Sequence, residues 1–129
     1  MLTHVAIHAR DIKTTVEFYK SYCGLIESHR RVDDNVTVVW LAEEAREGEF
    51  VLVLIGVPHR DQVDPAPMAH LGYAVDSREE VDRLGALAAD DEILVAAPKD
   101  AGPVVGYFCM VHDPEGNWIE FSYGQALGR

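Results

Sequence analysis

Near the C-terminal end of the sequence, Glu120 stands between Ile119 and Phe121. A carboxylate drawn out of water is costly unless something compensates its charge. Glu120 therefore either lies on a wet strand face or is paired with a proton, a base or a metal. Among the six histidines, His4 and His70 each open a segment of the same kind, His4-Val-Ala-Ile and His70-Leu-Gly-Tyr. Imidazole and carboxylate together can move protons or hold a divalent cation. The apolar residues Phe108, Met110 and Trp118 lie in the same C-terminal stretch and could form the wall of a cavity for an aromatic or acyl group, or plain core.

Three segments must position these groups. Tyr107–His112 and Asn117–Tyr123 alternate as strands around Asp113-Pro-Glu-Gly-Asn117, which suits a three-residue loop closed by Gly116 in the left-handed conformation. That register sets Asp113 opposite Asn117, His112 opposite Trp118, Met110 opposite Glu120 and Phe108 opposite Ser122, with those last six side chains on one face. A two-residue turn would instead set Cys109 opposite Glu120. The bland reading of Glu120 is an ordinary solvated strand residue. The coincidence with two repeat-equivalent histidines favours a site.

The repeat runs through the chain. Residues 3–9 suit a strand, and Asp11 caps a helix with Ile12, Val16, Tyr19 and Cys23 inward, ended by Gly24. Strands follow at 25–31, 36–42 and 49–57. Residues 58–67 hold three prolines and read as a linker. The pattern then restarts with a strand at 68–75, a capping box Ser77-Arg-Glu-Glu80 opening a helix with Val81, Leu84 and Leu87 or Ala88 inward, a strand at 92–97, a loop from Pro98 to Pro103, and the final hairpin. His4 maps onto His70 at an offset of 66 residues. The expectation is an α+β chain of two βαβββ modules, 1–57 and 68–123, with a tail at 124–129.

With 129 residues, 48% hydrophobic, the chain is long enough to bury a core. A net charge of -11, with no long basic cluster, argues against nucleic-acid or anionic-membrane partners. Two cysteines, Cys23 and Cys109, make neither a disulfide framework nor a cysteine zinc site. No apolar run reaches signal-peptide or membrane-spanning length, so a cytoplasmic protein is expected.

The segments His4-Val-Ala-Ile, Asp11, Glu17-Phe-Tyr, Gly24-Leu25, His70-Leu-Gly-Tyr and Asp113-Pro-Glu-Gly-Asn-Trp-Ile-Glu-Phe121 resemble the vicinal oxygen chelate superfamily. That group includes glyoxalase I, extradiol dioxygenases, fosfomycin-resistance enzymes and bleomycin-binding proteins. The resemblance implies paired βαβββ modules forming a cupped mixed sheet, commonly as homodimers. It also implies a small-molecule substrate and His4, His70 and Glu120 as metal ligands. Glyoxalase I adds a glutamate from the last strand of the first module, where this sequence has Val53 or a neighbour. Two histidines and one carboxylate favour iron(II) or manganese(II), with zinc or nickel also compatible. The ligand spacing, 66 and then 50 residues, is similar to that of extradiol dioxygenases. Their signature tyrosine is replaced by Met110, and no histidine lies between Asp100 and Cys109. His59 is the nearest candidate for their base histidine, and Lys99 for steering an anionic substrate. The resemblance thus implies a metal-dependent dioxygenase-like enzyme, with a glyoxalase-like lyase or isomerase and a metal-free drug-binding protein as alternatives.

Overall fold

The computed structural model describes residues 1–59, 61 and 68–127. Most of the expected linker, residues 60 and 62–67, lies outside the described residues. The chain divides into two compact units, Met1–Val63 and Asp64–Arg129.

The first unit runs β1 (His4–Ala9), α1 (Ile12–Cys23), β2 (Ile26–Asp33), β3 (Val36–Ala42), a single 3-10 turn (Glu44–Arg46) and β4 (Val51–Gly56). Its four strands are ordered β1-β4-β3-β2, with β1 and β4 parallel and the other pairs antiparallel. Asp11 caps α1 as the sequence predicts, its carboxylate accepting from the Thr14 N–H at 3.1 Å. Gly24 closes the helix at φ 66°, donating its N–H to the Lys20 carbonyl. The buried stripe of α1 is Thr15, Val16, Phe18, Tyr19 and Tyr22. It includes Phe18 and Tyr22 in place of the expected Ile12 and Cys23, because Phe18 stacks on Tyr22 at 4.8 Å and meets Tyr19 edge-on at 5.0 Å.

The second unit repeats this plan: β5 (His70–Ala74), α2 (Arg78–Asp90), β6 (Leu94–Asp100), β7 (Tyr107–His112) and β8 (Trp118–Tyr123), ordered β5-β8-β7-β6. Again the first and last strands pair in parallel. Ser77 caps α2, accepting from the Glu80 N–H at 3.1 Å. The reciprocal half of the capping box is not made, because the Glu80 carboxylate accepts from Arg83 Nη2 and Nε at 2.6 and 2.9 Å instead. Val81, Leu84, Gly85 and Ala88 are the buried positions of α2.

One expectation is corrected here. Pro98, Lys99 and Asp100 are not loop but the end of β6. A proline is tolerated because β6 is an edge strand and its pairing with β7 shifts register between Ala96 and Lys99. Gly85 makes the space, since a Cβ there would lie 2.8 Å from Pro98 Cγ.

Each sheet is apolar on the face toward its own helix. Val39, Leu41 and Leu54 are fully buried in the first unit, and Cys109, Val111 and Ile119 in the second. The other face of each sheet carries the residues of functional interest. No helix among the described residues is long and apolar enough to cross a membrane.

Candidate metal centre

The final hairpin has the register its sequence predicts. Met110 pairs with Glu120, His112 with Trp118 and Phe108 with Ser122, while Cys109 pairs with Phe121. Asp113 fixes that register. Fully buried, its Oδ1 accepts from the Glu115 and Asn117 N–H groups at 2.9 and 2.8 Å, and its Oδ2 accepts from the Asn117 side-chain amide at 3.0 Å. Gly116, at φ 91°, closes the turn. A one-residue slip would send Glu120 to the helix-facing side, among side chains that leave no water for a carboxylate.

Glu120 is 5% exposed and stands on β8 between Gly72 of β5 and Met110 of β7. Gly72 leaves room above the carboxylate, since a Cβ there would come only to 3.9 Å from Glu120 Oε1. His70, also on β5, brings its Nε2 to 3.6 Å from Glu120 Oε2. The His70 ring is oriented from behind, its Nδ1 lying 2.7 Å from the Met68 carbonyl oxygen. A carbonyl only accepts, so Nδ1 carries the proton, and in the neutral ring Nε2 presents its lone pair to the side of Glu120. Metal-ligating histidines are commonly oriented in this way. Bonds of about 2.0–2.2 Å from a divalent ion to nitrogen and oxygen can span the gap between these two donors. The pair therefore fits a metal. If His70 were protonated, the same atoms would instead make an ion pair.

His4 lies in the first unit, on β1, with its Nδ1 3.0 Å from Thr3 Oγ1. It borders a cavity of about 350 Å³ lined by Ala6, Val38, Trp40, Val51 and Val53 among others, with Arg31 and Asp33 also on its lining. Val53 pairs with Ala6 as Glu120 pairs with Gly72, so Val53 stands at the position of the first unit equivalent to Glu120. Among the described residues, no group of three His, Cys, Asp or Glu side chains converges in a metal-holding cluster. His70 and Glu120 meet within the second unit, and His4 stands at the equivalent place on β1 of the first.

The expected wall residues lie on the Glu120 face by register. Met110 is buried, and Phe108 and Trp118 are half-buried. Lys99 joins this face from β6, its Nζ 5.5 Å from the centre of the Phe108 ring. His112 serves the turn, its Nδ1 3.0 Å from the Asp113 carbonyl oxygen. His59 is exposed, just beyond β4. Cys109 is no nucleophile, because burial first, then Asp82 and Glu120, push its thiol up to about 11.

Sequence reasoning missed three supporting groups: Met68, Asp113 as the register lock, and Gln125, whose side-chain amide donates to Glu120 Oε1 at 3.1 Å. Asp113 could have been read from its Asp-Pro-x-Gly-Asn pattern. Met68 acts through its backbone and Gln125 through a turn, and neither leaves a periodic signal.

Residues 1–121 match the profile of the Glyoxalase/Bleomycin resistance protein/Dioxygenase superfamily. An uncharacterized protein of Pseudomonas aeruginosa is 39% identical over 127 residues, covering 98% of this chain and 91% of that protein. Among solved structures, a possible glyoxalase from Bacillus cereus is 25% identical with a TM-score of 0.73, covering 95% of this chain and 97% of that one. The fosfomycin resistance protein FosX from Listeria monocytogenes, complexed with Mn(II) and 1S,2S-dihydroxypropylphosphonic acid, shares the fold at 16% identity and a TM-score of 0.72, covering 99% and 94%. With its two βαβββ units, each a mixed four-stranded sheet, the chain belongs to the Glyoxalase/Bleomycin resistance protein/Dioxygenase superfamily.

Proposed function

We propose that the chain is a divalent-metal-dependent enzyme that holds a small substrate through two neighbouring oxygens, with His70, Glu120 and His4 as ligands. The observation that carries this reading is the oriented His70 ring, with Nδ1 tied to Met68 and Nε2 turned to the buried Glu120 carboxylate. A carboxylate so enclosed calls for a cation. His4 is included as the repeat-equivalent of His70. Two histidines and a carboxylate suit iron(II) or manganese(II), and the Mn(II) complex of FosX supports manganese as a candidate. We place the enzyme in the cytoplasm as a homodimer, the common form of the relatives it resembles.

When bound, the ion would act as a Lewis acid toward the two substrate oxygens. The chain's own residues do the rest. Phe108, Met110 and Trp118 offer an apolar surface beside the ligands, suited to an aromatic or acyl body. Lys99, cationic and exposed, offers a partner to an anionic group on that body. The ligand set favours extradiol-like ring cleavage. Opposite Glu120, however, Met110 supplies no proton donor, so ring cleavage must draw its acid and base from elsewhere. Val53, standing where a second carboxylate would be needed, counts against glyoxalase-like isomerisation. The apolar cavity of the first unit favours one further reading, metal-free binding of a small apolar molecule.

Metal analysis of protein purified without chelators separates these classes. We expect about one divalent ion per chain, falling at least tenfold in His70→Ala. Less than about a tenth of an ion per chain after anaerobic reconstitution, unchanged by that substitution, would sink the enzyme reading in favour of binding alone. Oxygen uptake by the iron(II) form across a panel of catechols identifies ring cleavage. Without uptake above the apo protein, conversion of a hemithioacetal to a thioester identifies the isomerase.

A further inference from the structure

The tail beyond β8 returns to the ligand pair. After Tyr123 the chain turns through Gly124 in the left-handed conformation, φ 76°, and Gln125 follows, half-buried. Its side-chain amide donates to Glu120 Oε1 at 3.1 Å, the oxygen other than the one near His70. Two features hold the tail in this path. The Ala126 N–H donates to the Val104 carbonyl at 3.1 Å, tying the tail to the loop before β7. Gly106, itself at φ 84°, lets the backbones close up. A Cβ on it would overlap the Tyr123 carbonyl oxygen and lie 2.9 Å from the Gln125 nitrogen. The amide is thus placed by a pinned backbone.

From this arrangement we infer that Gln125 is a positioning residue of the metal centre. By engaging a lone pair of Oε1 and fixing the tilt of the carboxylate, it favours coordination of Glu120 through Oε2. The inference rests on the metal reading above and adds a consequence for the substrate. A carboxylate free to use both oxygens takes two of the positions around an octahedral ion. Held to one oxygen, and with two histidines, it leaves three. Two of these admit a chelating substrate, and the third remains for another small ligand. The strap at 124–127 therefore decides whether the centre can hold a chelating substrate and a co-ligand at once.

The test uses the full chain and Mn(II) alone. Gln125→Ala removes the amide, and Gln125→Met keeps similar length without a donor. Manganese affinity is read from the resonance of free Mn(II), and open positions from the relaxation of water protons by the bound ion. In both variants we expect affinity to fall about 10- to 100-fold, the usual effect of losing a group that orients a ligand. We also expect weaker water relaxation, as the carboxylate takes a second position, with the apo protein's thermal midpoint unchanged. Equal affinity and relaxation in wild type and both variants would overturn the inference. So would a loss of affinity that tracks a lowered apo midpoint, since Gln125 would then support only the fold. Failure of the wild type itself to bind Mn(II) or any other divalent ion would instead overturn the metal reading on which the inference stands.

Discussion

The two units build the same sheet and furnish its open face differently. Across three neighbouring strands the first unit sets Ala6, Val53 and Trp40 in one row, and the second sets Gly72, Glu120 and Met110 in the equivalent row. The first row makes a cavity wall. In the second, a carboxylate takes the middle place, the smaller neighbour leaves room over it, and a thioether replaces the indole. The histidines differ as well. The Nδ1 partner of His4 is a hydroxyl, which can donate or accept and leaves the tautomer open, whereas that of His70 is a carbonyl, which fixes it. One backbone plan thus carries an apolar wall in the first unit and the proposed ligand pair in the second. The rows differ by one charged residue, the space beside it and the partners that hold both donors still.

Exchanging residues between the two rows tests what each contributes. Glu120→Val, which gives the second unit the first unit's residue, should have the largest effect, lowering Mn(II) affinity at least a hundredfold, beyond the roughly 10–100-fold that orienting groups command. The apo protein should be no less stable, because the buried charge leaves together with its need for a partner. Titration calorimetry and thermal melts measure both, and affinity surviving within about tenfold would remove Glu120 from the ligand set. The converse, Val53→Glu, puts a carboxylate at a position 6% exposed. It should lower the unfolding free energy in urea by on the order of 3 kcal/mol, the burden of an uncompensated buried charge. A loss below about 1 kcal/mol would mean that this part of the cavity is wetter than the burial of Val53 indicates. Gly72→Ala should matter least. Its new Cβ makes an ordinary contact at 3.9 Å with Glu120 Oε1, so stability should stay within about 0.5 kcal/mol and affinity nearly constant. A larger change would show that the space above the carboxylate is itself required.

Much of this was legible in the residues. Strand alternation, Asp11, Gly24 and Ser77 mark the elements because each acts locally. The hairpin register followed from counting outward from Gly116, and with it the placing of Met110 across from Glu120. The misread parts depend on tertiary surroundings. Pro98 argues for a loop until its strand proves to lie at a sheet edge facing Gly85. The helix stripe moved because Phe18 and Tyr22 pack on each other, which periodicity alone does not weigh. The closeness of His70 and Glu120 depends on parallel pairing of the first and last strands of a unit. No local pattern announces that pairing, and only the family resemblance, by implying both residues as ligands, brought them together.

That parallel pairing would give the proposed metal centre a mechanical role. His70 begins the second unit's first strand and Glu120 sits on its last, so an ion held between them would rivet the two ends of one folding unit across the whole loop of chain between them. The rivet cannot be set until the last strand has docked, because one of its two holes is carried there. Occupancy would then certify that the unit is complete. By mass action, an ion present at a hundred times its dissociation constant would add about 2.7 kcal/mol to the resistance of that unit to opening. The metal would serve as both chemical centre and clasp.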